Sequence, residues 1–582
     1  MRNCLLPALY AIALGLPLSD SFASEAVKAD IIPEAASGLS GIKHAVSTKH
    51  MVVTANPHAT DAAQKILSWG GTAADAAIAA QLVLGLVEPQ SSGIGGGAFV
   101  LHWNNESKKL TSWDGRETAP AAVTSQHFMQ GEEPMGFFDA VIGGHSVGTP
   151  GVVALLEALH AKHGSLPWTS LFQPAISLAR TGFELSPRLH ELLVNMPKVA
   201  VNPDITQYFF EDDGKTPKAI GTLLKNPAYA DTLAHIAKQG AKEFYNGKIA
   251  RDVVNAVASD PNRPGKLSID DFKGYAAKQR EPVCGTFRQY RVCGMGPPSS
   301  GGTTVAALLG TLQHIANADT PAADQAHFFA EASRLAFADR NQFIGDPDYV
   351  KVPTAGLIEA GYLKQRSSLI SAKGSLPKAT AGNPPGSEAL GYITTGSPEL
   401  PSTSHFSIVD DYGNVVSMTT SIETAFGSRI MVGGFLLNNQ LTDFSFNPAN
   451  DSGLVANRVQ GGKRPRSSMS PTIVFEGDKP RLVIGSPGGS RIIDYVARSI
   501  WDILENGMPV AQAIAAPHIV HMGRQLELEA GRADPELIKH LQALGHNVAS
   551  KPQTSGLHAI WIADQFLEGG ADPRREGTIK GE

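Results

Sequence analysis

The chain has 582 residues, of which 42% are hydrophobic and 18% charged, and it contains 59 glycines and 38 prolines. This length and composition are typical of a globular protein with a large core and many loops. The formal net charge of −6 excludes the basic surface that nucleic acids and anionic lipids attract, so we expect no nucleic-acid partner.

The N-terminus has the pattern of a secretory signal. Arg2 supplies a positive charge, residues 4–18 are mostly apolar, and Ser21-Phe22-Ala23 provides the small residues that signal peptidase selects. The apolar run is too short for a stable membrane-spanning helix, and no later stretch qualifies. We therefore predict a signal peptide over residues 1–23 and a periplasmic or secreted protein without a membrane anchor.

Helical spacing of apolar residues dominates 57–88 and much of 150–370. The clearest helices are predicted over residues 152–163, 171–181, 303–315, 324–337 and 491–506. The run Gly93-Ile94-Gly95-Gly96-Gly97 follows a helix and opens strands predicted over 100–103 and 110–113. A dinucleotide fingerprint needs the reverse order, because its phosphate lies at the N-terminus of a helix that follows a strand. We therefore expect no cofactor of this kind.

The segment Gly144-His145-Ser146-Val147-Gly148 matches the G-x-S-x-G pattern of serine hydrolases. A nucleophile elbow needs a strand before the serine, for which residues 140–142 are the candidate, and a helix directly after it. Thr149-Pro150 instead places the helix start at Pro150, because proline is favoured at the first helical position and disfavours a helix before it. A hydrolase that uses Ser146 is kept as the minor alternative.

Two cysteines remain once the signal peptide is removed. Cys284 and Cys293 flank a predicted hairpin that turns at Arg288-Gln289, and this register places them opposite each other at a non-hydrogen-bonded pair. In an oxidising compartment we predict a disulfide. Two cysteines are too few for a zinc site, and the sequence predicts no metal.

A change of pattern occurs at Thr403. Residues 371–402 have the Gly/Pro/Ser/Thr composition of a linker, whereas 403–409 and 415–422 read as the two strands of a hairpin with Thr403 opposite Ser421. A threonine at the start of a chain carries a nucleophile and a base on one residue, and a hydroxyl opposite could orient it. Taken alone, the same residues also fit an ordinary Thr/Ser-rich strand.

The segment Thr403-Ser404-His405-Phe406-Ser407-Ile408-Val409-Asp410 resembles the start of the small subunit of γ-glutamyltranspeptidases, which are N-terminal-nucleophile hydrolases. Further segments resemble this family in the same order along the chain, at residues 91–99, 114–120, 166–168, 297–302, 338–340, 463–472, 485–490 and 571–577. The resemblance thus covers about residues 48–577. It implies an α/β fold of αββα type, a sandwich of two central β-sheets flanked by helices.

The resemblance also implies that the precursor cuts itself between Ser402 and Thr403. The products would be a large subunit, residues 24–402 with a flexible linker over 371–402, and a small catalytic subunit, residues 403–582. The two subunits would form a heterodimer. No cofactor is implied.

The substrate that the family implies is glutathione or another γ-glutamyl amide, with water, amino acids or dipeptides as acceptors. Thr403 would be the nucleophile with Ser421 beside it, and the backbone of Gly488 and Gly489 would bind the oxyanion. The substrate α-carboxylate would bind Arg116, Ser467 and Ser468, and the α-ammonium would bind Asp443, Gln440 and Glu423. His405 is expected to be structural.

Two features bear on specificity. Only 18 residues separate Phe444 from Lys463, and none is tyrosine, so we expect a shortened lid over the site and leave the acceptor preference open. Related enzymes deacylate glutaryl-cephalosporins, whose acyl group lacks the α-amine. A glutaryl-cephalosporin acylase is therefore the alternative within the same fold, and the presence of Asp443 favours the glutamyl substrate.

Overall fold

Two seven-stranded antiparallel sheets lie at the centre of the computed structural model, which describes residues 38–394 and 402–582. The hairpin sheet, named for the hairpin that starts at Thr403, has the spatial order Thr578–Gly581, Met51–Thr54, Ser404–Val409, Val415–Ser421, Gly97–Asn104, Lys109–Gly115 and Lys278–Arg280. The opposite sheet has the order Lys43–Ser47, Leu567–Ala571, His558–Ile562, Lys479–Gly485, Thr472–Glu476, Tyr290–Gly294 and Val283–Phe287.

The two sheets pack face to face because side chains alternate between the two sides of each strand. Val409 and Val415 of the hairpin sheet point inward and share a buried cluster with Val483 of the opposite sheet. Ile408 and Val416, their neighbours in sequence, point outward into a different buried cluster. The strands around Thr403 are therefore buried on both faces, which holds the predicted nucleophile in a rigid setting.

Helices cover the outer face of each sheet. The helices that share the buried cluster on the outer side of the hairpin sheet are Pro57–Ser68, Ala73–Val87, Val152–His163, Gln173–Thr181, Pro187–Asn195, Pro203–Phe209, Pro227–Gln239, Ala241–Asn246 and Lys248–Ala258. Those that share the buried cluster on the outer side of the opposite sheet are Gly301–Leu312, Ala322–Phe343, Ala360–Ser367, Ile492–Leu504, Val510–Ala515 and Pro535–Ala543. The predicted αββα sandwich is confirmed. Within residues 38–394 and 402–582, no helix has the length and apolar character needed to cross a membrane.

The predicted helices form, with end points set by local capping. The pattern over 57–88 divides into two helices because the Thr72 side chain accepts from the Asp75 backbone and the Asp75 side chain accepts in return, which starts the second helix. Helix Val152–His163 has the predicted bounds. Tertiary packing extends the predicted 324–337 helix to Ala322–Phe343.

The hairpin register is confirmed. Ser404 pairs with Thr420 and Val409 with Val415, as the predicted turn requires. The Asp410 carboxylate holds that turn by accepting from the backbone N–H groups of Tyr412 at 3.0 Å and Asn414 at 2.8 Å. Continuing the register by one residue places Thr403 beside Ser421.

The cysteine hairpin is also confirmed. Strands Val283–Phe287 and Tyr290–Gly294 pair with Cys284 directly opposite Cys293, at a Cα–Cα distance of 4.1 Å, and the two sulfurs are bonded. Cys293 is fully buried between the two sheets. The bond therefore fastens an outer hairpin of the opposite sheet.

Ser146 does not lie in a nucleophile elbow. The residues proposed as the preceding strand include the end of a short helix, Phe137–Val141, and the serine ends a 3-10 turn, Gly144–Ser146. Its hydroxyl is buried and donates to the carbonyl oxygens of Val141 at 2.7 Å and Gly143 at 3.0 Å. The candidate strand at 140–142 is not formed and the next helix begins only at Val152, so neither flank of a nucleophile elbow is present, in line with the later helix start expected from Thr149-Pro150.

The described part of the predicted linker, residues 371–394, is mostly irregular but hydrogen-bonded. Its backbone N–H groups at Leu376 and Gly382 donate to the carboxylates of Glu331 at 2.9 Å and Asp339 at 2.7 Å. Tyr392–Ile393 pairs in parallel with Gly453–Val455, which lies between Phe444 and Lys463. The predicted signal peptide and residues 395–401 lie outside the described residues.

Candidate active site

A small cleft, with a cavity volume of about 20 Å³, opens where the Thr403 hairpin meets the start of helix Ile492–Leu504. Its lining comprises Arg116, Thr403, Ser421, Glu423, Gln440, Asp443, Ser467, Ser468, Met469, Gly489 and Ile492. Nine of the ten residues assigned to catalysis and substrate binding in the sequence therefore line one cleft, and the tenth, Gly488, adjoins it. Residues spread from position 116 to position 489 meet there.

Three hydroxyl and carbonyl groups meet at the predicted cleavage site. Thr403 Oγ1 donates to Ser421 Oγ at 3.3 Å, and Ser421 Oγ donates to the carbonyl oxygen of Ser402 at 2.7 Å. Ser421 Oγ also accepts from the backbone N–H of Glu423 at 2.9 Å. The predicted pair of Thr403 and Ser421 is thus in hydrogen-bond contact, and Ser421 contacts the carbonyl of the predicted scissile bond.

Charged residues that received no role from the sequence hold the backbone around Thr403. Arg575 donates to the Thr403 carbonyl oxygen at 3.2 Å. Ser404 donates to the buried carboxylate of Glu88 at 2.8 Å, and Glu88 pairs with Arg188 at 3.2 Å. Burial raises the pKa of Glu88 while the Arg188 guanidinium opposes the shift. Arg575 lies in a segment that resembles the family, but only the fold shows its contact.

Arg116 and Asp443, assigned from the sequence to the α-carboxylate and the α-ammonium of the substrate, form an ion pair with each other. The Arg116 guanidinium contacts the Asp443 carboxylate and also donates to the carbonyl oxygens of Pro465 at 3.2 Å and Arg466 at 2.9 Å. Gln440 donates to Asp443 at 2.7 Å. The 3-10 turn Gln440–Asp443 produces this contact because residues three apart eclipse in such a turn.

The two serines assigned to the substrate carboxylate have fixed oxygens. The backbone N–H of Met469 donates to Ser467 Oγ at 3.1 Å, and Arg340 donates to Ser468 Oγ at 2.6 Å. Arg340 also donates to Ser300 Oγ at 2.9 Å. These contacts tie the cleft to the long helix Ala322–Phe343, a link that the sequence did not predict.

Glu423 has a strained backbone, with φ at +79°, in the left-handed region that non-glycine residues rarely adopt. Asn439 donates to its carboxylate at 2.6 Å. The surrounding contacts maintain this conformation and hold Glu423 on the cleft wall. Asn439 is a further site neighbour that the sequence did not single out.

Gly488 and Gly489 have φ values of +137° and +60°, which glycine adopts without steric cost. A Cβ at Gly488 would lie 2.7 Å from the Tyr495 ring. Gly489 begins a 3-10 turn, Gly489–Arg491, that leads into helix Ile492–Leu504. The prediction that this pair opens a helix is confirmed, apart from the intervening turn.

Glu117 lies behind Arg116, with 3.7 Å between the carboxylate and the guanidinium. It is fully buried, and neither carboxylate oxygen has a hydrogen-bond partner within the described residues. Burial raises the pKa of Glu117 to about 8, although the positive charge of Arg116 lowers it in part. Glu117 is therefore neutral near pH 7 and does not compete with the Asp443 carboxylate for the charge of Arg116.

His405 lies between the sheets, as expected for a structural residue. It is fully buried, and its ring nitrogens contact Thr419 Oγ1 at 2.8 Å and Ser407 Oγ at 3.2 Å. Burial lowers its pKa well below the usual value. Alternation of side chains along the strand places it on the same face as Thr403, two residues away, but the hydroxyl contacts of both its ring nitrogens are consistent with a structural role.

Comparison with known proteins gives a consistent result. The γ-glutamyltranspeptidase family pattern matches residues 59–582. A glutathione hydrolase proenzyme of Escherichia coli (strain K12) is 35% identical over 580 residues, which is 97% of each chain. A cephalosporin acylase from Bacillus halodurans has a similar structure, with a TM-score of 0.82 and 25% identity over 94% of this chain and 99% of its own.

A crystal structure of γ-glutamyltranspeptidase from Helicobacter pylori covers 59% of this chain and 96% of that chain, with a TM-score of 0.54 and 32% identity. The family match extends over nearly the whole described chain. Together with the cleft built around Thr403, these similarities show that the chain belongs to the γ-glutamyltranspeptidase family.

Proposed function

We propose that this protein is a self-processing γ-glutamyltransferase and glutathione hydrolase. The observation that carries the proposal is the position of a cation, Arg116, and an anion, Asp443, on one wall of the cleft that contains the Thr403 hydroxyl. A γ-glutamyl group has a carboxylate and an ammonium on one carbon and its reactive carbonyl at the other end. The cleft matches both charges and offers a nucleophile to the carbonyl.

The hydrogen-bond chain at Ser402 supports a route for maturation. Thr403 Oγ1 attacks the Ser402 carbonyl carbon, its proton moves to Ser421 Oγ, and the proton of Ser421 moves to the developing oxyanion 2.7 Å away. Collapse of this adduct re-forms the C=O bond, moves the hydroxyl proton to the Thr403 nitrogen and breaks the C–N bond, so that Ser402 becomes an ester on Thr403 and the nitrogen becomes an amine. Water then hydrolyses the ester and releases the new N-terminus.

The released α-amine of Thr403 serves as the base in turnover. Thr403 Oγ1 attacks the γ-carbonyl, the amine takes the hydroxyl proton and passes it to the leaving amine, and a γ-glutamyl ester forms on Thr403. The backbone N–H groups of Gly488 and Gly489 stabilise the oxyanion, an effect of roughly 10²–10³ in rate per donor. Water or an acceptor amine then removes the acyl group.

Substrate binding exchanges one ion pair for two. The α-carboxylate binds the side of Arg116 that lines the cleft, together with Ser467 and Ser468, and the α-ammonium binds Asp443 with Gln440 and Glu423. Because Arg116 keeps its bonds to the carbonyls of Pro465 and Arg466, it stays in place when Asp443 turns to the ammonium. A ligand with only one of the two charges would separate Arg116 from Asp443 while neutralising only one of them.

We further propose that cleavage at Ser402–Thr403 yields subunits of residues 24–402 and 403–582, which stay together as a heterodimer. The described residues of both contribute strands to both sheets, so separation would expose the core. The N-terminal pattern favours export to the periplasm or the medium. Amino acids or dipeptides are the proposed acceptors besides water.

The test of this proposal is maturation followed by activity. Denaturing electrophoresis and N-terminal sequencing of the purified protein should give a small subunit of 180 residues, 403–582, that begins at Thr403. The Thr403→Ala variant should stay uncut, and Ser421→Ala should be cut much more slowly. A matched control, Ser407→Ala, removes a buried hydroxyl of the same strand that bonds the His558 carbonyl at 2.9 Å, and should still be cut.

Cleavage between Ser402 and Thr403 in Thr403→Ala would rule out self-processing by this hydroxyl. Processed wild-type protein should then release amine from γ-glutamyl anilides and transfer the acyl group to an added dipeptide. Processed protein without activity on any γ-glutamyl amide would refute the substrate assignment.

A second candidate is a glutaryl-cephalosporin acylase, which the overall similarity to the Bacillus halodurans acylase favours. A glutaryl group has the carboxylate but lacks the ammonium. The carboxylate of Asp443 in the cleft, with Gln440 bonded to it, supports the glutamyl substrate instead.

A further inference from the structure

A second cluster of chemically active side chains lies outside the catalytic cleft. His327 and Glu331 lie one turn apart on helix Ala322–Phe343, and His546 reaches them from the loop before strand Val548–Lys551. All three are buried, and one ligand atom from each lies within 4.8 Å of the others. Two imidazoles and a carboxylate are a donor set that Zn²⁺ and neighbouring divalent metals bind.

The hydrogen bonds assign the protons on the two rings. His327 Nε2 lies 2.8 Å from the carbonyl oxygen of Ser371, which can only accept, so Nε2 carries the proton. Neutral His327 therefore accepts at Nδ1, and its partner at 2.7 Å, Nε2 of His546, donates. It follows that a neutral His546 has its lone pair on Nδ1.

That lone pair has no donor. His546 Nδ1 is buried without a hydrogen-bond partner among the described residues and lies 3.7 Å from Glu331 Oε1. His546 as a whole is only 6% exposed. Two acceptors thus face each other away from water, an arrangement that is unfavourable unless a positive charge lies between them.

We propose that His327, Glu331 and His546 bind a divalent transition-metal ion, with Zn²⁺ as the best match. The ligands are Nδ1 of His327, Nε2 of His546 and Oε1 of Glu331, with the His546 proton moved from Nε2 to Nδ1, and water completes a tetrahedron. Ligand atoms of such a site lie about 3.3 Å apart, so the two rings separate by about half an ångström on binding. The bond from His327 Nε2 to Ser371 then fixes the tautomer of a metal-bound histidine.

Arg334 is the cation that competes for the same carboxylate. Its guanidinium lies 3.1 Å from Glu331 Oε1 and also donates to the Leu376 carbonyl at 2.8 Å. The Leu376 N–H donates to the other carboxylate oxygen at 2.9 Å. Arg334 can therefore keep its bond to Leu376 while Oε1 turns to the metal.

The site joins parts of the chain that lie on opposite sides of Thr403. His327 and Glu331 precede it and His546 follows it, and the adjacent backbones meet where Ser375 N donates to the Leu544 carbonyl at 2.7 Å. The metal site does not depend on processing, but its role as a link between subunits rests on the proposed cleavage. In the processed protein, the metal would hold the two subunits together.

Co²⁺ is the probe for this site because tetrahedral Co²⁺ absorbs visible light. Processed protein stripped with a chelator and titrated with Co²⁺ should develop visible bands that saturate at one ion per heterodimer, and Zn²⁺ should remove them. The same addition of Zn²⁺ to the stripped wild type should raise its thermal unfolding temperature. The uncut Thr403→Ala chain should bind Co²⁺ equally, which separates this proposal from the proposed processing.

Two variants and one control locate the site. His546→Gln and His327→Gln should each weaken Co²⁺ binding by at least about tenfold, as expected when a metal ligand is lost. His540→Gln, which changes a nearby half-exposed histidine paired with Asp324, should bind as the wild type does. Absence of bands and of a thermal shift in the wild type at 100-fold excess of metal would overturn the proposal, as would equal binding by both ligand variants.

Discussion

The choice between glutamyl and glutaryl substrates depends on one carboxylate. Asp443 is 5% exposed, contacts Arg116, and accepts from Gln440 at 2.7 Å. The Asp443→Asn substitution keeps the size of the side chain and an oxygen that can accept from Gln440, but it removes the negative charge. In the proposed complex, that charge neutralises the substrate ammonium in a cleft largely closed to water.

Losing one partner of such a desolvated charge pair costs about 2–5 kcal/mol. The kcat/KM for γ-glutamyl substrates should therefore fall by about 30-fold to several thousand-fold. A glutaryl group has no ammonium to neutralise. In the variant, Arg116 also loses its competing partner and is more available to the glutaryl carboxylate, so the kcat/KM for glutaryl substrates should change by less than about threefold or rise.

The assay compares kcat/KM on γ-glutamyl and glutaryl anilides for processed wild type and Asp443→Asn. Asp451→Asn is the control, since it makes the same change at an exposed aspartate of the neighbouring loop. Equal losses on both substrates would mean that Asp443 supports the fold of the cleft through Arg116 and does not bind the α-amine. The glutamyl specificity would then lose its main structural argument.

Three further predictions test other features. Ser146→Ala should retain processing and most activity. Selective loss of hydrolysis in a folded, processed variant would instead support Ser146 as the nucleophile of a serine hydrolase. Cys284 and Cys293 should give no free thiol when the unreduced protein is denatured and titrated, whereas two thiols would exclude the bond. Burial raises the pKa of Glu117 from 4.5 to about 8, so its favourable contribution to the free energy of unfolding is complete below pH 4.5 and is lost as the pH rises to 8. In denaturant unfolding, Glu117→Gln should reduce the loss of stability between these pH values by on the order of 3–5 kcal/mol. If the free energy of unfolding of wild type and variant changed in parallel with pH, this explanation would be contradicted.

Local patterns were sufficient for several elements of the fold. The helix Val152–His163 follows from apolar spacing bounded by Pro150 and Gly164. The Thr403 and Cys284 hairpins follow from turn residues, because a short turn fixes the pairing of every residue in its two strands. These features depend on neighbours within about twenty residues.

Predicting the residues of the site required the resemblance to the family in addition to the local sequence patterns. Nothing in the spacing of Arg116, Asp443 and Gly488 indicates that they meet, since Arg116 lies more than 300 residues before the other two and each residue is ordinary in its local context. Their positions in family motifs predicted the set, and the cleft contains nine of the ten members. The G-x-S-x-G match at Ser146 shows the converse, because a local motif is present without the strand and helix that a nucleophile elbow needs.

By itself, the sequence determined the hairpins, the long helices and, through its family motifs, which residues form the cleft. Only the tertiary structure decided how those residues contact each other. Arg116 pairs with Asp443, Ser421 reaches the Ser402 carbonyl, and His546 meets His327 across 219 positions. The physical reason is that strand and helix patterns record which face of an element is buried, whereas the contacts between charges and hydroxyls depend on how distant elements pack.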